Sequence, residues 1–322
     1  ESQETLSAMK QVILTLISLC TASATVAQES QEVYTFLRLP VSVHAAALGG
    51  DNISISDDDA SLVFHNPALI SNVSDRTLNL NYMTYMEGVK TASAAFVKAW
   101  GERATWAVSA QYMDYGDMRQ MDASGTDLGD LSAKDIALSA SLAYLLGDRW
   151  SGGVTLRYIT SDLAGYHSQA IAADLGLNYY DEDHGISLSA SARNLGGQVQ
   201  TYADTHEDLP LDVAVGISKR LSAAPLRFSA TLSRLNSWDV SLLKHLTIGA
   251  DVFLGDHVYV AAGYHFRRPS EMRLSDGDGE SSHGAGLSCG AGLQLERFKF
   301  HVAYARYHVS ASSLLLGASY SF

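Results

Sequence analysis

The 322 residues are 47% apolar and only 18% charged, with 26 glycines, 16 tyrosines and a formal charge of −13. So much apolar material excludes a disordered chain. The acidic balance argues against a nucleic-acid surface, and two cysteines cannot build a disulfide scaffold or a structural zinc site. A mean hydropathy near zero is too apolar for an ordinary soluble domain and too polar for a helical membrane bundle. It suits strands that alternate apolar and small polar residues.

The first element in chain order is an address. Met9-Lys10 opens a positive segment, Val12 to Leu19 is apolar, and Thr25-Val26-Ala27 gives a small-x-Ala cleavage site. Residues 1–27 therefore read as an N-terminal extension with a secretory signal peptide. Cys20 invites a lipoprotein reading, but Leu19 stands where that processing wants a small residue.

Residues 28–76 lack strand periodicity. Ala45 to Leu48 reads as a short helix stopped by Gly49, and Asn66-Pro67 marks a turn. The run Asp57-Asp58-Asp59 suits contacts to a surrounding wall, or a plain turn, better than a metal site. A non-strand segment ahead of a barrel is most simply a hatch, with Asn66, Pro67, Asp57 and Asp58 as its candidate residues.

From residue 77 to 322 the pattern has period two. Ile136, Leu138, Ala140, Leu142 and Tyr144 alternate with Ala137, Ser139, Ser141 and Ala143, and Leu226, Phe228, Ala230 and Leu232 with Arg227, Ser229, Thr231 and Ser233. Fourteen such segments can be marked, many longer than the usual strand of about 5–6 residues. A sandwich would carry Lys and Glu on its outer face, whereas here the second face is Ser, Gly, Thr and Asn. The fold class predicted is all-β: a transmembrane antiparallel β-barrel of about 14 strands with an N-terminal hatch. The lipid would supply the apolar partner and closure would satisfy the backbone, so no conventional core is expected. Short turns alternate with long connections at about 116–133, 195–210, 235–244 and 267–283. This places the long loops at the cell surface of an outer membrane and both termini in the periplasm. The terminal Phe322, with Tyr320 and Gly317 before it, resembles the signal read by barrel-insertion machinery.

Chemical motifs are weak. Gly286-Leu287-Ser288-Cys289-Gly290 matches G-x-S-x-G, but it sits within an alternating strand and not at a strand-to-helix turn. Asp276 to Glu280 lacks the spacing of a calcium loop, and the eleven histidines show no metal-ligand spacing. No catalytic residue, metal or cofactor is expected, and no nucleic acid. Loops on a rigid barrel are where binding residues sit. The candidates for a partner are Tyr202, Asp204, His206, Trp238, Arg267, Arg268, Glu271 and Arg273.

Three N-terminal stretches carry a resemblance: Phe36-Leu37-Arg38-Leu39-Pro40, Ala45-Ala46-Ala47-Leu48-Gly49-Gly50 and Asn66-Pro67-Ala68-Leu69. With Ala133 to Ser139, Asp148 to Leu156 and Asn194 to Val199, they resemble the PorV/PorQ family of type IX secretion outer-membrane proteins, over nearly the whole chain after the signal peptide. That resemblance implies a FadL-like barrel with an N-terminal hatch and a non-enzymatic role. Such a barrel would anchor a PorZ-like surface protein, in an attachment complex with PorU and PorV-like proteins that processes cargo and links it to lipopolysaccharide. The same architecture implies an alternative, a FadL-type transporter of a hydrophobic small molecule. A transporter needs a path, through a kinked hatch or an opened wall, and an apolar pocket inside; an anchor can have a plugged, polar lumen.

Overall fold

Alternation along each strand fixes which side faces lipid, and the chain length between turns fixes where each strand stops. The computed structural model describes residues 32–322, apart from 87, 122–126, 204, 239, 273, 277–278, 282–283 and 308–310. The signal-peptide reading of residues 1–27 lies outside them. The barrel strands are β1 (Thr77–Met86), β2 (Val89–Trp100), β3 (Ala104–Met121), β4 (Asp127–Leu145), β5 (Trp150–Leu163), β6 (Tyr166–Asp181), β7 (Ile186–Gln200), β8 (Asp212–Arg220), β9 (Leu226–Leu232), β10 (Leu246–Leu254) and β11 (Val258–His265). A small hairpin, β12 (Leu274–Asp276) and β13 (Gly279–Ser281), precedes β14 (Leu287–Gln294), β15 (Phe298–Ala305) and β16 (Ser313–Ser321). The fourteen strands outside that hairpin form one closed antiparallel barrel, sealed where Thr77 of β1 meets Ser321 of β16.

The outward face is largely apolar, with a few exposed lysines such as Lys90, Lys98 and Lys134. Leu138, Leu156, Ile248, Phe300 and Leu316 are exposed, while their strand neighbours Ser141, Thr155, Thr247 and His301 are buried inside. Among the described residues no helix is long and apolar enough to cross a membrane. The strands do the crossing, since a closed barrel leaves no unpaired edge in lipid. At the short-turn end Phe298, Tyr320 and Phe322 pack ring to ring at 4.7 and 4.9 Å, and Trp100 and Trp150 are exposed. Aromatic girdles of this kind mark a bilayer boundary.

Three expectations about the loops change. The connection predicted at 116–133 is mostly strand, because β3 and β4 continue past a bulge at Asp114/Asp117 to Met121 and from Asp127. Likewise β7 runs on to Gln200, and the segment 267–283 holds a helical turn, Arg268–Glu271, and the β12–β13 hairpin.

The hatch overturns a further expectation, for the lumen does contain a packed core. Phe36, Val43, Ala45, Ala46, Leu48, Ile53, Ile55, Leu62, Leu69 and Ile70 are all buried, against inward residues such as Tyr259, Ala261, Ala303 and Leu315. Its local structure comes from caps: Ser42 accepts from Ala45 N before the helix Val43–Ala47, and Asn66 accepts from Ala68 N before Pro67–Asn72. The Asn66-Pro67-Ala68 turn lies directly on the wall. A Cβ at Gly176 would stand 2.0 Å from Asn66 Oδ1, and one at Gly153 2.4 Å from Ala68 N, so only glycine fits at both.

The hatch also runs the height of the lumen. Val33 N donates to Asp208 O in the β7–β8 connection, whereas Phe322 N donates to Arg76 O at the short-turn end. The described residues thus start and finish at opposite mouths of the barrel. A lipid-facing charge tests the overall placement. Leu138→Arg is expected to cost about 2–4 kcal/mol in urea unfolding from lipid vesicles, and no loss would contradict a bilayer around β4.

Candidate functional site

Charges buried inside the barrel must be paired, since an isolated ion there is costly. The hatch and wall meet that demand together. Arg227 on β9 donates to Asp57 of the hatch from Nη1 at 2.6 Å and Nη2 at 2.9 Å, and from Nε to Asp251 on β10 at 2.7 Å. The His44 ring lies between the same two carboxylates, 2.7 Å from Asp251 and 3.2 Å from Asp57. It stacks on Tyr259 at 4.1 Å, and the Tyr259 hydroxyl bonds His301 Nδ1 at 2.7 Å. Burial alone would lower the His44 pKa, but the Asp251 and Asp57 carboxylates reverse this and raise it to about 9. Burial likewise opposes ionisation of Asp57, yet Arg227 and His44 hold its pKa well below 3.8.

The other hatch carboxylates have separate partners. Asp58 pairs with Lys299 on β15 and accepts from Ser74 N at 2.8 Å. Asp59 caps the turn Ala60–Phe64 through Ser61 N and accepts from the Ser42 hydroxyl at 3.0 Å. Asp51 bonds His265 Nε2 at 2.9 Å. Asn66 also donates to Ile53 O and Leu177 O, at 3.3 and 3.4 Å. Asp57, Asp58, Asn66 and Pro67 therefore all sit on the hatch–wall contact.

At the mouth of the long connections lies a cavity of about 420 Å³. Phe36 and Leu39 of the hatch form its apolar floor, and Tyr85, Met86, Met113 and Tyr115 its wall. Arg234, Arg268 and Glu271 also line it, with Tyr307. Two larger concavities, about 650 and 690 Å³, lie along Leu138/Leu156 and Phe300/Leu316 on the lipid-facing surface, where acyl chains fill such grooves.

Of the loop candidates only Arg267, Arg268 and Glu271 are brought together, at the helical turn Arg268–Glu271. His206 is exposed, and the half-buried Tyr202 lies 6.5 Å from the Tyr34 ring. Trp238 is exposed beside Leu242 and Leu243, with its ring 5.5 Å from His245. Arg267 and Arg234 both donate to Glu271, at 2.8 and 2.9 Å. Arg268, expected on the surface, is buried, because the helical turn folds over the lumen and its Nη2 donates to Gly49 O at 2.7 Å. A Cβ at Gly50 would stand 2.4 Å from that guanidinium. Asp204 and Arg273 lie outside the described residues. Ser288 is buried within β14 and donates to Ala47 O at 2.8 Å, so its hydroxyl is a hatch contact and not a nucleophile at a turn. Sequence reasoning missed His44 as a site residue. The usable signal was the inward-facing Arg227 and Asp251, two charges that had to be neutralised within the lumen.

No family model matches the chain, and no curated protein matches it. Solved structures do. The toluene transporter TodX of Pseudomonas putida superposes with a TM-score of 0.57 at 13% identity, over 88% of this chain and 98% of that one. The monoaromatic hydrocarbon channel CymD gives 0.57 at 14% identity, over 88% and 98%. A Pseudomonas aeruginosa FadL homologue gives 0.56 at 12% identity, over 88% and 99%. The fold is the FadL-type barrel. Identities this low establish the architecture alone.

The contact of His44 and Asp57 with Arg227 and Asp251 has a pH signature. With its pKa raised from 6.5 to about 9, protonated His44 contributes fully below pH 6.5 and loses that contribution as pH rises through about 9. Asp57, depressed below 3.8, contributes above that value and fails only in stronger acid. Hydrogen exchange of the hatch amides should therefore accelerate between pH 7 and 10 beyond the intrinsic rate, and His44→Gln should flatten the excess. Arg227→Ala should loosen the hatch by about 3–5 kcal/mol at neutral pH, because it leaves two buried carboxylates to His44 alone.

Proposed function

We propose that this chain is an integral outer-membrane barrel for uptake of a small hydrophobic molecule, received in the chamber at the long-connection mouth. The observation that carries this reading is the chamber itself. It is a concave space of the size small-molecule sites have, about 300–1,000 Å³, floored by the hatch and walled by aromatic and methionine side chains. The structural neighbours are named as a toluene transporter and a hydrocarbon channel, which supports the same cargo class. Below the chamber the lumen is filled and the wall is closed, so onward passage requires the hatch to move. Its polar contacts to the wall suit such movement, because water can replace them.

A second reading keeps the type IX anchor: a non-enzymatic barrel whose loops hold a PorZ-like protein beside PorU and PorV-like partners. The exposed Trp238, Leu242 and Leu243 favour it, since Trp is a frequent interface anchor. So does the plugged lumen, which an anchor need not open.

Tethering the hatch separates the two. The Ser54 and Ser218 hydroxyls lie 2.7 Å apart across the hatch–wall contact, and the double change Ser54→Cys/Ser218→Cys should form a disulfide. Uptake of a labelled hydrophobic probe by cells should fall on oxidation and return with reductant. Unchanged uptake in the oxidised protein would sink the moving-hatch reading, and loss of surface proteins from cells lacking the barrel would favour the anchor.

A further inference from the structure

One row of side chains on the lipid-facing wall carries charge across five adjacent strands. The ladder pairs Lys90 of β2 with Asp114 of β3, Asp114 with Lys134 of β4, Lys134 with Asp162 of β5, and Asp162 with His167 of β6. The neighbouring row, Thr91, Met113, Asp135, Ser161 and Ser168, is buried in the lumen, so the charged row faces out. Next to Lys134 on the outward face of β4 come Ile136, Leu138, Ala140, Leu142 and Tyr144. From Lys134 to Tyr144 a strand rises about 33 Å, or about 25 Å along the bilayer normal once tilted. That is the height of a lipid-facing band. The row therefore stands at headgroup level by the long-connection mouth, across the bilayer from the exposed Trp100, Tyr144 and Trp150. Further round the wall the same row continues uncharged, through Thr84, Leu314 and Tyr304.

The acids of this row are occupied and the lysines are not. Asp114 accepts from Gly116 N at 3.0 Å, and Asp162 accepts from Gly165 N at 3.2 Å with His167 Nδ1 3.6 Å away. Lys90 and Lys134 are exposed, and among the described residues neither ammonium makes a hydrogen bond or ion pair. A lysine at the edge of the hydrocarbon lays its stem on apolar surface and extends its charge to the headgroups, where an anionic lipid attracts it. The two lysines stand two strand spacings apart, about 9.5 Å. Asp114 lies between them and repels an anion centred on the row. The negative charge that fits is therefore divided, with one phosphate at each lysine. We propose that this row binds a glycolipid of the cell-surface leaflet whose headgroup carries two phosphates, one at each end of a short sugar, held by Lys90 and Lys134. The proposal depends on neither reading of the lumen, only on lipid around the strands.

The test is native mass spectrometry of the detergent-solubilised full chain, titrated with bisphosphorylated lipid A and with its monophosphorylated form. The first should bind about fivefold or more tightly, the difference that one further lysine–phosphate contact makes. Lys90→Gln/Lys134→Gln should weaken the bisphosphorylated lipid about tenfold and bring the two lipids to similar affinity. Lys98→Gln, on the same strand nearer the short-turn end, should change neither. Asp114→Asn should strengthen binding several-fold by removing the repelling charge, whereas lysines that serve only cross-strand pairing predict a weaker barrel and unaltered lipid affinity. Heat-modifiable migration on gels reports that each variant is folded. Equal affinity for the two lipids in the unsubstituted protein overturns the two-phosphate assignment. Lipid binding indifferent to the double substitution, or lowered as much by Lys98→Gln, overturns the row as the binding surface.

Discussion

A barrel with lipid outside has nowhere to hide its inner polar groups except against each other or against something placed in the lumen. That constraint organises this molecule. Inward-facing Arg157 pairs with Asp174, and Arg193 with Asp212, within the wall. Arg227 and Asp251 are different, because their remaining capacity is filled from the hatch by Asp57 and His44. The hatch is therefore part of how the wall neutralises itself. One consequence is directional. The apolar contacts of Leu48, Ile55 and Leu69 resist removal of the hatch, while the polar ones allow its replacement by water, so a displaced hatch is a hydrated state and not an empty one.

Much of this architecture could be read from the sequence, for a physical reason. Lipid tolerates few exceptions on the outward face, so alternation from Thr77 to Phe322 gave every barrel strand. It failed where the constraint lapses. There the charged residues Asp114, Asp117 and Asp130 interrupt the alternation, so the far parts of β3 and β4 read as loop although the backbone ladder continues. The hatch was legible as a plug from its lack of period, and Asp57 and Asp58 as wall contacts. His44 was not, because Val43-His44-Ala45-Ala46-Ala47 reads as an apolar turn and nothing local says which charges surround it. Arg268 failed for the converse reason: adjacent charges after β11 look like a solvated loop, and only the turn's return over the lumen buries one of them.

The two sites considered for function are mechanically joined. Glu271 accepts from Arg234 in the β9–β10 connection and from Arg267, and it ends the helical turn that starts at Arg268. The exposed Trp238, Leu242 and Leu243 belong to that same β9–β10 connection, and Trp238 packs on His245, which bonds Ser233 O beside Arg234. Anything that seats on this connection acts on a segment tied through one carboxylate to the roof of the chamber. Anything that fills the chamber touches Arg268 and, through Gly49, the hatch. An uptake barrel and a docking barrel therefore need not be separate designs here. A partner on the loops and a ligand in the chamber would both meet the same short helical turn, Arg268–Glu271.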